Sequence, residues 1–467
     1  MITDNTPKIE REKLTSLSYT DQQWELLRKH FSHRTVSDLC KGGLLVFPHS
    51  LGNSKKEFCQ QFVCEITDKH ISTGNVVGFV GVKDKDSGQS AELAIRSRFQ
   101  CKKESKEFSD DYFFHYMLQR VFNIHILNLP TGKTDDSVFD IALYLFPYYL
   151  KRAMKQGLFK QYRKCEYNDA NVRGVIDVTR HIRHNIPFNG RIAYRTTEYK
   201  YDNALTQLIR HTIEYIAASG FAGNILKCDK DMRDYVRTIY DITPTYKAND
   251  RRKIISQNLK PVTHPFYTEY RALQQLCLQI LRHKELKYGT SDDKIYGVLF
   301  DCAWLWEEYL ATFLPKEYTH AVKGKNKGIK LFKAKYAHDR YPDFYSLEKG
   351  VVLDAKYKSI DNGVQRSDLY QLISYIHTLQ SESKETRGAF VYPSAKSKSV
   401  WMELCGYGGW LGKISMQIPD DSQDFCEFSQ SMQKAEKELL TKIGEIANNN
   451  QETDKETIVK EFEEDDE

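Results

Sequence analysis

The residues with the clearest potential for chemistry lie in the run YPDFYSLEKGVVLDAKYK, residues 341–358. Side chains alternate between the two faces of a β-strand, so a strand over Val351–Lys358 places Asp354 and Lys356 on one face. Asp343 and Asp354 together suit Mg²⁺, a hard cation that keeps waters and binds phosphate oxygens. Water on that cation is nucleophilic at neutral pH, and a neighbouring lysine can orient it. The pattern predicts phosphodiester hydrolysis.

The geometry of this group depends on how two strands pair. A two-residue turn at Lys349 and Gly350 would place Asp343 directly opposite Lys356. A longer turn is the alternative, and a slip of one residue would separate the charged side chains. Charged residues on a hairpin most often face solvent. The apolar run VVL before Asp354 instead indicates a central strand, where charged side chains require a purpose.

Two helices are predicted around these strands. Gln371 and Tyr375 are spaced i, i+4, and therefore lie on one face of a helix predicted over Ser367–Leu379. Glu307 lies in a helix predicted over Asp301–Leu314 that is otherwise rich in Trp and Leu. An ordinary amphipathic helix explains each pattern by itself. The ordered combination of helix, two aspartates, lysine and second helix is much more specific than any of its parts.

Hydrophobic patterns divide the chain into four segments and predict an α/β, or α+β multidomain, protein. Residues 1–105 are β-rich, and residues 106–290 are mainly helical with a β insertion at 173–201. Residues 291–428 read as helix, three strands, helix and strand, which predicts a mixed sheet. Residues 429–467 read as a charged helix and an acidic tail that composition predicts to be disordered.

The predicted elements can be placed by residue number. The helices other than those above are expected at Asp110–Phe122, Ile141–Leu158 and Leu205–Ile216. The strands of the first segment are expected at Leu44–Phe47, Phe58–Ile66, Val76–Val82 and Ala91–Phe99. Those of the third segment are expected at Lys330–Lys335, Asp343–Leu347, Val351–Lys358, Ala389–Tyr392 and Ile414–Ile418.

The ordered motifs resemble the PD-(D/E)xK nuclease superfamily, in its RecB-like branch. Pro342-Asp343, Asp354-Ala355-Lys356 and Gln371-x-x-x-Tyr375 carry this likeness. The segments GLFKQYRKCEYNDANVRGVIDVTRHIRHN, TTEYKYDNALTQLIRHTIEYI and LFDCAWLWEEYLATFL are similar to the McrC family, the nuclease subunit of McrBC-type and LlaJI-type restriction systems. LAIRSRFQ and DDYFFHYMLQRVFN resemble the LlaJI-like members. The likeness spans about residues 90 to 420.

This resemblance implies a role for each matching residue. Asp343 and Asp354 correspond to metal ligands, the Ala355 carbonyl to a third ligand, and Lys356 to the catalytic lysine. Gln371 and Tyr375 correspond to residues that support the substrate phosphate or the lysine. Glu307 corresponds to the acidic position on the preceding helix, with Glu308 as an adjacent competitor. The resemblance implies Mg²⁺ as cofactor, with Mn²⁺ as a substitute, and a nuclease fold over residues 291–428.

The resemblance also implies partners: a separate McrB-like AAA+ GTPase hexamer, and double-stranded DNA, methylated or unmethylated. The sequence supports a separate motor, because Gly132-Lys133-Thr134 has Leu127 where a phosphate-binding loop requires glycine. We therefore expect this chain to bind no nucleotide. Two alternatives are a RecB-like repair or recombination nuclease that acts with a helicase, and a non-cleaving nuclease-fold adaptor of an AAA+ hexamer. The presence of both aspartates and Lys356 argues against the adaptor.

The charge distribution is compatible with nucleic acid as a partner. The net charge is +5, and the last 18 residues hold nine acids and two lysines, so the remainder carries about +12. Basic residues at Arg173, Arg180 and Arg183, and at Arg251, Arg252 and Lys253, would bind DNA phosphates without reading sequence. A solvated charged face explains either group equally well.

Composition argues against several other classes of protein. The ten cysteines contain no C-x-x-C pair, which argues against a zinc or iron–sulfur centre. No run of 18 apolar residues predicts a transmembrane helix, and the N-terminus does not have the pattern of a signal peptide. We therefore expect no membrane partner and a cytoplasmic location.

Overall fold

The computed structural model describes most of the chain, and every structural statement below refers to this part. The described residues are 2–14, 19–41, 44–47, 56–84, 89–99, 111–122, 140–219, 223–288, 294–321, 328–330, 339–361, 363–380, 385–406, 408–420, 422 and 424–446. The Gly132-Lys133-Thr134 segment, the predicted strand beyond Lys330 and the acidic tail after Ile446 lie outside the described residues.

The chain is divided into two compact units. The first contains Met1–Val82, Ala91–Leu127 and Gly297–Glu467, and the second contains Lys83–Ser90 and Asn128–Tyr296. The middle of the chain is therefore inserted into a unit made by its two ends. The linear boundaries predicted at residues 105, 290 and 428 stay predictions.

The helices of the described residues are α1 Asp21–Phe31, α2 Val36–Lys41, α3 Lys56–Gln60, α4 Tyr112–Phe122, α5 Asp140–Lys155, α6 Val178–His184, α7 Ala204–Ala218, α8 Lys230–Ile242, α9 Arg251–Gln257, α10 Glu269–Tyr288, α11 Cys302–Ala311, α12 Arg366–Leu379 and α13 Phe425–Ile446. The strands are β1 Ile9–Glu10, β2 Leu45–Phe47, β3 Cys64–Ile66, β4 His70–Thr73, β5 Val76–Lys83, β6 Ser90–Ile95, β7 Gln161–Asp169, β8 Val175–Ile176, β9 Ile192–Lys200, β10 Lys294–Asp301, β11 Thr319–His320, β12 Ile329–Lys330, β13 Asp339–Arg340, β14 Phe344–Ser346, β15 Val351–Ala355, β16 Arg387–Ser394, β17 Ser399–Glu403 and β18 Trp410–Gln417.

Two small sheets form the β-rich part of the first unit, in the orders β1-β4-β3 and β2-β10-β5-β6. Strand β10 was not expected from the sequence, and its residues Val298–Phe300 pair in parallel with β2. Gly78 explains the close approach of β5 to β10: its φ is +139°, and a Cβ there would lie 2.1 Å from the Val298 carbonyl oxygen. The N-terminal sheet is thus completed by a strand from the C-terminal half.

A six-stranded mixed sheet, in the order β11-β14-β15-β16-β18-β17, forms the C-terminal part of the first unit. Strands β15, β16 and β18 are parallel, and the outer pairs are antiparallel. Helix α12 covers one face, where Val352, Leu372, Ile376 and Phe390 share an apolar cluster. Helix α11 packs against the sheet through Trp306, whose indole donates to the Val391 carbonyl at 3.2 Å. The mixed sheet expected from the sequence is confirmed.

Several predicted elements were wrong in part. The strand expected over Phe58–Ile66 is wrong in its first part: helix α3 ends at Gln60, and β3 begins only at Cys64. Phe58 is buried whereas Gln60 and Gln61 are exposed, so burial does not alternate here as it does along a strand. The β insertion contains helix α6, which is capped by Asp177, whose side chain accepts from the Arg180 N–H. Strands β7 and β17 were not predicted, and β15 ends at Ala355 rather than Lys358.

The described residues of the second unit are mainly helical. Helix α10 packs against α5 and α7, and α8 and α9 pack against α7. Strands β7 and β9 form a nine-residue antiparallel ladder, to which β8 adds two residues. Large apolar side chains of these strands are exposed, with Val175 of β8 at 79% and Tyr162 of β7 at 72%.

Helix α13 belongs to the core of the first unit rather than to an appended tail. Glu436 is 6% exposed, and its carboxylate accepts from Tyr116 and Tyr309 at 2.9 Å and from Arg120 at 3.0 Å. It thereby joins α4, α11 and α13. In the part of the chain that the structure describes, no helix is long and apolar enough to cross a bilayer.

Candidate active site

The hairpin between β14 and β15 has a different register from the one predicted. Ser346 pairs with Val351 and Phe344 with Leu353, so residues 347–350 form a four-residue turn. The two-residue turn at Lys349-Gly350 was therefore wrong. The observed register is shifted by two residues from the predicted one. Each side chain therefore stays on its predicted face of the sheet, because side chains alternate with a period of two. Asp343, when this register is continued, lies opposite Asp354 instead of Lys356.

Asp354 lies on the sheet face covered by α12 and is 3% exposed. Burial and the neighbouring Asp343 raise its pKa to about 7, against the opposing effect of Lys356. Carboxylates placed this close repel one another when both are ionised. A cation between them would relieve this repulsion.

Lys356 follows the last residue of β15, and its backbone N–H donates to the Val391 carbonyl at 2.9 Å. Its Nζ lies 2.8 Å from Oδ2 of Asp354, and its side chain is 19% exposed. Burial disfavours the ammonium, but Asp354 and Asp368 outweigh it and raise the pKa of Lys356 above the ordinary value. The lysine is therefore positively charged.

Asp343 reaches the end of β15 through its side chain. Its Oδ2 accepts from the Ala355 N–H at 2.8 Å. In the continued register Ala355 lies opposite Pro342, which has no N–H to donate to the Ala355 carbonyl. The Ala355 backbone thus contacts the Asp343 carboxylate through its N–H, and Pro342 supplies no ladder donor for the Ala355 carbonyl.

Gln371 and Tyr375 lie on one face of α12, as their spacing predicts. The Gln371 amide donates to the Tyr375 hydroxyl at 3.0 Å. Burial raises the pKa of Tyr375, the charges of Asp354 and Asp343 act in the same direction, and the hydrogen bond from Gln371 opposes them. Tyr375 is 5% exposed, whereas Gln371 is exposed at the surface of the helix.

Asp368 is a member of this group that the sequence analysis missed. It lies in the first turn of α12, with Oδ1 3.1 Å from the Lys356 Nζ and Oδ2 2.8 Å from the Lys358 Nζ. Burial opposes ionisation, but the two lysines lower the pKa of Asp368. Its spacing of i, i+3 and i, i+7 to Gln371 and Tyr375 is the signal that could have identified it.

The remaining predicted residues lie elsewhere. Glu307 and Glu308 are both half-buried on α11, and the choice between them stays a prediction. Arg173 precedes β8, Arg180 and Arg183 lie on α6, and Arg251, Arg252 and Lys253 begin α9, all in the second unit. Arg180 lies 3.5 Å from Glu166, and Arg251 lies over the Tyr215 ring at 5.8 Å. Their DNA contacts stay predictions.

The donor set fits a hard divalent cation. Asp343 and Asp354 supply carboxylate oxygens and Ala355 a carbonyl, the ligand types that Mg²⁺ prefers, with waters in its remaining positions. Among the described residues, no three His, Cys, Asp or Glu side chains are grouped as a metal-binding cluster.

A family described as McrBC 5-methylcytosine restriction system component matches residues 71–393, more than half of the chain. The chain belongs to this McrBC family. The matched region contains all of the described residues from Asp343 to Tyr375 that form the site. No curated protein matches the chain.

Two solved structures resemble this McrBC family member. A chain of the refined half-complex from a tetradecameric assembly of Thermococcus gammatolerans McrB AAA+ hexamers with bound McrC is 14% identical, with a TM-score of 0.50. The match covers 96% of this chain and 99% of that chain, and shows a shared fold. A chain of the Thermococcus gammatolerans McrBC complex is 15% identical over 68% of this chain and 87% of that chain, with a TM-score of 0.32.

Proposed function

We propose that this chain is the Mg²⁺-dependent DNA endonuclease subunit of a GTP-dependent restriction complex of the McrBC or LlaJI type. The observation that carries the proposal is the convergence of Asp343, Asp354 and Lys356 at the end of β15. Membership of a restriction-system family supports DNA as the substrate. The mixed sheet with α12 on one face supports a PD-(D/E)xK nuclease fold.

The residues of the site have separate tasks in this proposal. Asp343, Asp354 and the Ala355 carbonyl would hold Mg²⁺, which would supply Lewis acidity and lower the pKa of a water. Lys356 brings a positive charge to the scissile phosphate and orients the attacking water. Tyr375, hydrogen-bonded to Gln371 at 3.0 Å, donates its hydroxyl to the same phosphate.

A separate motor completes the proposed complex. The solved relative contains McrC bound to McrB AAA+ hexamers, and we propose a comparable McrB-like GTPase hexamer as the partner of this chain. The chain then stimulates GTP hydrolysis by the partner and cuts poorly alone. The basic groups on α6 and at the start of α9 contact phosphates of the DNA duplex without selecting a sequence.

The test is cleavage of methylated and unmethylated plasmid by the full chain with its partner GTPase, GTP and Mg²⁺. We expect Asp354→Ala and the isosteric Asp354→Asn to abolish cleavage, with DNA binding and GTP hydrolysis close to wild type. Glu403→Ala is the control, because Glu403 is exposed on the edge strand β17 of the same sheet. It should cut like the wild type.

The outcomes separate the proposal from its alternatives. Cleavage that survives both Asp354 substitutions contradicts the metal site. A wild-type complex that hydrolyses GTP but never cuts supports a non-cleaving adaptor. Full cleavage by the chain alone, independent of GTP, contradicts the role of the motor.

A further inference from the structure

Two lysines that follow strand β15 contact the first turn of helix α12. One oxygen of Asp368 lies 3.1 Å from the Lys356 Nζ, and the other lies 2.8 Å from the Lys358 Nζ. Lys358 also donates to the Gln365 side chain at 2.8 Å. The side chains of Asp368 and Lys356 are only 16% and 19% exposed, so these ion pairs are poorly screened by solvent.

Lys356 needs such an anchor because of its position in the sheet. Strand β15 ends at Ala355, and the lysine has a flexible four-carbon stem with several rotatable bonds. Its backbone is fixed by the hydrogen bond to Val391, which leaves the direction of the side chain undetermined. Contacts to carboxylates must therefore aim the ammonium.

Asp354 cannot fulfil this task alone. Its Oδ2 lies 2.8 Å from the Lys356 Nζ, but the same carboxylate is the proposed ligand of the cation. A cation held there would partly neutralise the Asp354 carboxylate that attracts the lysine. The cation would also repel the Lys356 ammonium directly. Asp368 touches Lys356 from α12, with no proposed part in holding the cation.

We propose that Asp368 is the positioning residue of the catalytic lysine: it holds the Lys356 ammonium beside Asp354 when the cation and the scissile phosphate occupy the site. This inference rests on the proposed function and deepens it. Lys358 neutralises the second oxygen of Asp368 and thereby keeps the carboxylate turned toward β15. Asp368 acts through Lys356 and does not itself contact substrate.

A purely structural ion pair between α12 and β15 is the competing explanation. Removal of such a pair would lower the stability of the fold and would reduce DNA binding and cleavage alike. A positioning residue acts on the chemical step, since the lysine contributes mainly in the transition state. The two explanations therefore differ in what changes: positioning affects the cleavage rate alone, whereas a structural ion pair affects the cleavage rate and DNA affinity together.

The experiment uses the full chain with its partner GTPase and measures both the single-turnover cleavage rate with Mg²⁺ and DNA affinity with non-catalytic Ca²⁺. We expect Asp368→Asn to lower the cleavage rate by about 10-fold to 100-fold, with DNA affinity unchanged. Asp368→Glu restores a carboxylate and should recover part of the rate. Asp424→Asn is the matched control, since Asp424 is an exposed acid that caps the start of α13.

A double-variant comparison shows which lysine transmits the effect. Asp368→Asn should add little to the loss caused by Lys356→Arg, because both changes act on the same ammonium. Lys358→Met should lower the rate less than Asp368→Asn. Equal losses from Lys358→Met and Asp368→Asn, with additive effects in the Lys356→Arg background, would show that Asp368 acts through Lys358 and overturn the inference.

Failure of this inference is distinguishable from failure of the proposed function. A wild-type complex that does not cut, or an Asp354→Asn variant that does, overturns the function itself. A cutting complex in which Asp368→Asn is as fast as wild type overturns only the role of Asp368. Equal losses of cleavage and DNA affinity, without recovery in Asp368→Glu, likewise reject positioning in favour of a structural ion pair.

Discussion

The hydroxyl of Tyr357 lies 2.7 Å from the hydroxyl of Ser97, 260 residues earlier in the chain. Tyr357 directly follows the candidate catalytic lysine and is 4% exposed. The Arg98 guanidinium lies 5.5 Å from its ring centroid, and the Arg98 Nε donates to the buried Asp4 at 2.8 Å. The N-terminal segment is therefore tied to the end of β15 through a continuous set of contacts.

We expect Tyr357→Phe to lower the free energy of unfolding by about 1 kcal/mol, the usual net value of one buried hydrogen bond. The ring packing is retained, and the Ser97 hydroxyl keeps the Phe99 N–H as a donor at 3.1 Å. Urea unfolding measures the change. Tyr370→Phe is the control, since Tyr370 is 66% exposed on α12 and should change stability by less than about 0.5 kcal/mol. Equal effects of the two variants would show that the hydroxyl pair contributes nothing.

Asp111 should make the stability of the protein depend on pH. Burial raises its pKa from 3.8 to about 7, although the Ser97 and Phe114 N–H groups oppose the rise. The unfolded carboxyl loses its proton near 3.8 and the folded one near 7, so this group lowers stability as pH rises between these values. The loss approaches about 4 kcal/mol for a shift of this size, and Asp111→Asn should remove it.

The measurement is urea unfolding of wild type and Asp111→Asn at several pH values from 4.5 to 7.5. We expect the wild type to lose stability relative to the variant across this range. Asp424→Asn removes the charge of an exposed side chain at the start of α13 but keeps its capping oxygen, and it should show no such trend. If the free energies of unfolding of wild type and Asp111→Asn differed by the same amount at every pH, the raised pKa of Asp111 would be contradicted.

The pKa of Asp354, raised to about 7, predicts that metal affinity increases with pH. The carboxylate must lose its proton to bind a cation, and the folded protein retains this proton below about 7. We expect Mn²⁺ to bind about tenfold more tightly at pH 8 than at pH 6, the range over which the ionised fraction changes by that factor. Calorimetric titration measures binding without the hydroxide dependence of cleavage. Equal affinities at the two pH values would contradict a metal-binding Asp354 whose pKa is raised to about 7.

Glu436 should be important for stability although it lies outside the predicted nuclease segment. Glu436→Ala removes the acceptor shared by Tyr116, Tyr309 and Arg120. The side chain of Arg120 is 35% exposed, so the cost is below that of a fully buried ion pair, and we expect about 3 kcal/mol. Thermal or urea unfolding tests this.

Glu445→Ala on the same helix is the control for Glu436→Ala. Glu445 is exposed in the last turn of α13, and its removal should change stability by less than about 0.5 kcal/mol. Similar small losses in both variants would show that the contacts of Glu436 contribute little to holding α4, α11 and α13 together.

The local parts of the site could be predicted from the sequence because they depend on short-range periodicity. Alternation along a strand placed Asp354 and Lys356 on one face, and a spacing of four residues placed Gln371 next to Tyr375. Turn composition was insufficient to predict the hairpin, since Lys349 and Gly350 are compatible with a turn of either two or four residues. The predicted face was nevertheless correct, because the observed register differs from the predicted one by an even number of residues.

The order of motifs along the sequence also determined the family, which the match over residues 71–393 confirmed. Only the tertiary structure decided that Asp343 accepts from the Ala355 N–H, that Asp368 reaches Lys356, and that Ser97 and Glu436 belong to the same unit as the site. These contacts join residues from 12 to more than 300 positions apart. Periodicity identifies which face of an element is buried, but the packing of distant elements decides which side chains meet there.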